Sequence, residues 1–178
     1  LGYAALRGGP EVLFADLEAL FGNSRIGRGE RDTRTPDVYY WHGNQPMLHA
    51  AWLYHDVGRR DRLAHWVRAI QNTLYLDTPD GLPGNDDGGT MSAWYLFTAS
   101  GLYPIAGSDR YRLGPPLFPL VALQTAGGTL RIEAPGATGA VQAVAGVSLD
   151  GVPVDGFEIT HAELMAAEVL RFELVEAP

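Results

Sequence analysis

The sequence has no cysteine among its 178 residues. That excludes disulfides, a thiol nucleophile and cysteine-ligated zinc, and it leaves the compartment open. There is no apolar run of the about 18 residues that a membrane-spanning helix needs. There is no basic cluster able to attract nucleic acid or an anionic membrane. Thirteen basic residues stand against 21 acidic ones, a net charge of −8, and the densest basic group, Arg59, Arg60 and Arg62, reads as the exposed start of a helix. An initial methionine and a signal segment are also missing. The chain opens at Leu1 inside LGYAALRGG, which reads as ordered protein, so the expectation is a piece of a longer polypeptide. What is abundant is apolar residues, 46% of the chain, enough to bury a core.

The first part of the chain is periodic in the helical sense. Pro10 to Phe21 has apolar residues at 13, 14, 17, 20 and 21, with Pro10 in the first turn and Gly22-Asn23 at the C-cap. Ser24 to Pro36 is polar and broken, an exposed loop able to fold over something. Pro46 to Val57 is expected to form a helix ended by Gly58, buried on more than one side. Its His49 and His55 are six apart and share no face, so they make a poor metal pair. Arg59 to Leu76 carries one apolar stripe, Leu63, Trp66, Val67, Ile70 and Leu74, and predicts the longest helix.

After Pro104 the pattern changes. Segments 110–113, 117–124, 128–134, 141–149, 154–159 and 169–175 alternate or run β-branched, with glycine and proline breakers between them. Asp150-Gly151 predicts a tight hairpin, and 162–167 one helical turn. The reading is α+β: helices over 1–104, then an antiparallel β segment over 105–178. Four helices are few for a toroid and six strands few for a closed sandwich.

Two stretches could carry chemistry. In Asp37 to Pro46, the aromatics Tyr39, Tyr40 and Trp41 precede His42, Gly43, Asn44 and Gln45. Aromatic faces beside planar amides suit a sugar-binding wall. The same residues equally suit core aromatics followed by a helix start, with Asn44 as N-cap and Pro46 in the first turn. The second stretch is GLPGNDDGGTMSAWYLFTASGLYP, residues 81–104. A glycine-rich turn leads into Asn85, Asp86 and Asp87, and Thr90 reads as the N-cap of an apolar helix stopped by Gly101 and Pro104. Acids just ahead of a helix are held as carboxylates by its free N–H groups and dipole. A carboxylate fixed there has the geometry of a general base; a solvated Asp-Asp-Gly-Gly turn would look the same.

The run Gly84-Asn85-Asp86-Asp87-Gly88-Gly89-Thr90-Met91-Ser92-Ala93-Trp94-Tyr95, with Gly101-Leu102-Tyr103-Pro104, closely resembles the signature of glycoside hydrolase family 92, the calcium-dependent exo-α-mannosidases. Gly43-Asn44-Gln45-Pro46 with His49 is similar to that family's Gly-Asn-Glu-Pro motif. Gly114-Pro115-Pro116-Leu117-Phe118-Pro119 is similar to the entry into its tail strands. The resemblance runs from about residue 1 to residue 130 and implies the C-terminal helices of an (α/α)6 toroid, followed by strands that pack with a β-sandwich domain.

It also implies an inverting reaction on terminal α-mannosides of glycans such as N-glycans, in a secreted or periplasmic bacterial enzyme. Asp87 would be the base and Asn85 its helper. Asp86 is the weaker candidate, because adjacent loop side chains point apart. His42, Asn44 and Gln45 would meet the sugar, and Asn44 and Gln45 would bind calcium through oxygen. Asn85 stands where the helper is often an aspartate, and Gln45 departs from the family's glutamate. The general acid would lie upstream of Leu1, so these residues alone could not catalyse. Two other readings remain: hydrolysis of a mannose-1-phosphate diester, whose leaving group needs no acid, and a non-catalytic carbohydrate-binding or structural part.

Overall fold

The computed structural model describes residues 2–30, 36–125 and 127–177. They form two compact units, one up to Tyr95 and one from Leu96 onward. The helices are α1 (Gly2–Leu6), α2 (Pro10–Gly22), α3 (Arg60–Leu74), α4 (Thr90–Ala99) and α5 (His161–Ala166).

In the first unit, α2 buries Leu13, Leu17 and Phe21, one face at spacing four. α3 buries Leu63, Ala64, Trp66, Val67, Ile70 and Leu74. The Phe21 ring stacks on Trp66 with centroids 4.7 Å apart and lies 4.5 Å from Tyr40. Glu18 ties the outer faces together. Its carboxylate accepts two bonds from Arg62, at 2.9 and 2.8 Å, and one from the Tyr54 hydroxyl at 2.7 Å. Burial and that carboxylate push the Tyr54 phenol up from its usual range.

The expected regular helix over 46–57 is instead two 3-10 turns, Gln45–Met47 and Ala50–His55. Trp52 N–H bonds the His49 carbonyl at 2.9 Å, the i to i+3 pattern of a 3-10 turn, and the Leu48 carbonyl accepts from Trp94 Nε1 at 2.9 Å. The predicted loop over Ser24 to Pro36 falls partly on residues 31–35, which lie outside the described residues.

The described residues of the second unit form eight strands: β1 (Leu102–Pro104), β2 (Arg110–Leu113), β3 (Leu120–Thr125), β4 (Gly128–Glu133), β5 (Gln142–Leu149), β6 (Val152–Pro153), β7 (Glu158–Thr160) and β8 (Val169–Glu176). One sheet has the order β1-β2-β7 and the other β3-β4-β8-β5-β6. A single core joins them, built on Leu102, Leu113, Leu130, Ile132, Ile159, Leu170 and Phe172. Asp150 and Gly151 both have positive φ, 48° and 82°, as a two-residue β5–β6 hairpin requires.

The expectation of an all-antiparallel segment is corrected at one place. β4 pairs with β8 in parallel, Arg131 opposite Val169 and Glu133 opposite Arg171. Alternation within a strand reports which face is buried, not the direction of a partner far along the chain. The division between the units falls inside α4 rather than at Pro104. The last turn of α4 belongs to the β unit: Leu117 N–H bonds the Ala99 carbonyl at 2.9 Å and Gly114 N–H the Gly101 carbonyl at 3.0 Å. Gly101 has φ 78°, and a Cβ there would lie 2.7 Å from Pro116. Its αL conformation ends the helix and admits the neighbouring chain.

Candidate active site

Two glycines bring the two motif loops together. A Cβ on Gly84 would lie 2.4 Å from the Gly43 carbonyl oxygen and 2.6 Å from its Cα. A Cβ on Gly43 would lie 2.7 Å from the Trp41 ring. Trp41, Gly43 and Gly84 are therefore layered with no room for a side chain at either glycine. This contact brings the loop that carries Asn44 and Gln45 against the loop that carries Asn85, Asp86 and Asp87. Across it, Gln45 Nε2 donates to Asp87 Oδ2 at 3.1 Å. Asn44, Asn85 and Asp87 are exposed on this chain and Gln45 is half-buried.

Asp86 turns the other way. Its Oδ1 accepts from Met91 N–H at 2.7 Å and Ser92 N–H at 3.0 Å, and its Oδ2 from the Ser92 hydroxyl at 2.6 Å. Both oxygens are spent capping α4, and those bonds, led by the Ser92 hydroxyl, hold the carboxyl below its usual range. Asp86 is thus a capping residue, in place of the catalytic role considered for it, and it displaces Thr90 from the expected cap. Thr90 already has helical φ and ψ, and its hydroxyl donates to the Asp87 carbonyl at 2.6 Å. The left-handed Gly88 and Gly89, φ 62° and 80°, reverse the chain between Asp87 and α4. Two adjacent acids therefore separate, one bound into the helix and one presented outward.

The cap gives a pH prediction. A depressed folded pKa stabilises above the unfolded pKa and stops doing so as pH falls through the folded value. The Tm of Asp86→Asn should lie below wild type at neutral pH, and the gap should shrink as pH drops below about 4. Thermal melts across that range check it; a gap that is constant with pH contradicts the capping carboxylate.

His42 is placed differently from the expected substrate contact. It is 1% exposed, and both ring nitrogens bond inside the protein, Nδ1 to the Tyr40 hydroxyl and Nε2 to the Tyr75 hydroxyl at 2.8 Å. Burial pushes its pKa down to about 3, so the ring is neutral. Of the aromatic wall, Tyr40 is 2% exposed and packed into the core, and only Tyr39 stays largely open. Asn44 caps the following 3-10 turn, its side chain accepting from Gln45 N–H at 3.1 Å, with Pro46 in the first turn. Tyr40 joins the core, Tyr39 is exposed, and Asn44 opens a capped turn. Tyr75 and Ser92 were not singled out from the sequence. Tyr75 lies 33 residues from His42, and no local pattern links them.

The residue types here suit a hard cation in kind: the Asp87 carboxylate and the amides of Gln45, which meets Asp87 through Nε2, and of Asn44, its chain neighbour. They fall short in number, since calcium takes about six to eight oxygens. Asn44 Oδ1 is already engaged by Gln45 N–H. Among the described residues no group of three or more His, Cys, Asp or Glu could hold a metal. These residues alone do not make a calcium site.

The model of the glycosyl hydrolase family 92 catalytic domain matches residues 2–176. The chain belongs to glycosyl hydrolase family 92. A family 92 α-mannosidase of Bacteroides thetaiotaomicron, solved with mannoimidazole, superposes with TM-score 0.78 at 29% identity, over 94% of this chain and 22% of its own. A family 92 inverting mannosidase of the same organism gives TM-score 0.80 at 27% identity, over 99% of this chain and 26% of its own. An uncharacterized secreted glycosidase of Arthroderma benhamiae is 37% identical over 82 residues, which are 46% of this chain and 11% of that protein. The chain thus spans about a quarter or less of the length of these relatives. No helix among the described residues is long and apolar enough to cross a membrane.

Proposed function

We propose that this family 92 chain carries the water-activating half of an inverting exo-α-mannosidase site, with Asp87 as the general base. The observation that carries the reading is the Gly43–Gly84 contact, which gathers both motifs around one outward carboxylate. The solved relatives named as mannosidases support the substrate class.

In this reading Asp87 takes the proton of a water that attacks the anomeric carbon from the face opposite the departing oxygen. Asn85 orients the water through its amide and cannot itself take the proton. Gln45 holds Asp87 through its Nε2, and the Asn44 and Gln45 oxygens face the sugar hydroxyls. A carboxylic acid from outside these residues protonates the leaving oxygen. Asp87 is exposed on this chain, and the rest of an (α/α)6 toroid would close over it, with a β-sandwich domain against the β unit. Calcium, when bound, would act as template and Lewis acid on the mannose hydroxyls. Asn44 and Gln45 would contribute amide oxygens, and the remaining ligands would come from elsewhere. A secreted or periplasmic enzyme acting on mannose-bearing glycans, N-glycans among them, is the setting this implies.

Proton NMR of the reaction tests the proposal. The complete protein should release mannose from an α-mannoside with the β-anomer appearing first, and EGTA should stop release until calcium is restored. First appearance of the α-anomer overturns the inverting assignment. Full activity in EGTA removes calcium. Release of mannose only from a mannosyl-phosphate diester shifts the substrate class.

A further inference from the structure

A chain of hydrogen bonds through Tyr75 joins the two motif stretches. Tyr75 donates to the Met91 carbonyl at 3.0 Å. Its oxygen is therefore the acceptor for His42 Nε2–H at 2.8 Å. That fixes the tautomer of the neutral ring, so Nδ1 accepts from the Tyr40 hydroxyl. Every proton in the series has one direction: Tyr40 to His42 to Tyr75 to Met91. The rings are equally constrained. Tyr75 stacks on Trp94 at 6° and 5.8 Å, and His42 meets Trp94 edge-on at 4.4 Å.

Met91 is where this chain meets the base loop. Its N–H is held by Asp86 and its carbonyl by Tyr75. Trp94, one turn on, holds the Leu48 carbonyl. The segment bearing Asn44 and Gln45 is thus pinned to α4 on both sides, at His42 and at Leu48. α4 in turn is capped by the residue next to Asp87. We propose that Tyr40, His42 and Tyr75 form a positioning relay that sets the Gln45–Asp87 distance and so aims the carboxylate. This rests on the reading of Asp87 as base. The relay passes no proton to substrate; it is a strut of fixed length, made of the buried Tyr40 and His42 and the half-buried Tyr75, whose bonds are costly to leave unmade.

Tyr75→Phe deletes one oxygen and keeps the stacked ring, so it is the informative variant. In the complete protein, kcat should fall about 10- to 100-fold with KM within about threefold, because the misplaced group acts in the transition state and not in binding. Tyr40→Phe leaves the His42–Tyr75–Met91 bonds in place and should lose less than Tyr75→Phe. Circular dichroism and thermal melts should show both variants folded. A kcat for Tyr75→Phe within twofold of wild type overturns the relay. So does a rise in KM at unchanged kcat, which would make the His42 side a substrate contact. Asp87→Asn is assayed alongside: if it stays active, the base reading fails whatever Tyr75→Phe does. If it is inactive while Tyr75→Phe is normal, only the relay fails.

Discussion

Asp87→Asn should lower kcat/KM by about two to four orders of magnitude, the range a positioned general base supplies. The substitution is the same size and keeps an oxygen able to accept from Gln45 Nε2, which now donates to Asp87 Oδ2 at 3.1 Å. The loop therefore keeps its shape, and the Gly43–Gly84 contact does not involve the side chain. What disappears is the capacity to take a proton from water. KM and Tm should stay close to wild type. The neighbouring acid behaves oppositely. Asp86→Asn weakens a helix cap, because both Asp86 oxygens lie on Met91 and Ser92, and its effect should register in Tm first. Two adjacent aspartates with exchanged phenotypes, one kinetic and one thermal, is a pattern that a merely solvated Asp-Asp turn would not give. Activity of Asp87→Asn within tenfold of wild type would end the assignment.

Much of this was legible in the sequence because it is locally encoded. α2, α3, α5 and the Asp150-Gly151 hairpin follow from apolar spacing and turn residues that need no distant partner. The helix starting at Thr90 was legible, but its cap was not, because an aspartate four residues ahead competes with the residue at the boundary. The 46–57 segment reads as a regular helix because its own residues carry no sign of the Trp94–Leu48 bond, formed with a residue 46 positions along the chain. The parallel β4–β8 pair and the His42–Tyr75 bond are likewise long-range facts. At the site, the residue types were visible and their orientations were not. His42 faces inward because a Tyr40 hydroxyl and a Tyr75 hydroxyl flank it, and Asp86 because a helix start lies within reach.

Gly84→Ala should be nearly as damaging to turnover, for a reason that involves no charge. Gly84 has φ 93°, so any side chain there adds backbone strain. Its Cβ would also sit 2.4 Å from the Gly43 oxygen, and that atom belongs to the backbone, which cannot rotate aside. Gly43 cannot retreat either, since the Trp41 ring lies behind it, 2.7 Å from where a Gly43 Cβ would be. Relief to an ordinary 3.4 Å contact needs the two loops to part by about 1 Å. A shift of that size at a reacting group costs about a hundredfold in rate, and it would break the Gln45–Asp87 bond. Gly58→Ala separates the two causes. Gly58 also has positive φ, 69°, but nothing lies within 4 Å of its Cβ position. Gly58→Ala should lower Tm through strain and leave kcat unchanged. Gly84→Ala should lower both, with kcat/KM down about a hundredfold. If the two variants lose similar Tm and both keep wild-type kcat, the glycine contact serves folding alone and does not align the carboxylate.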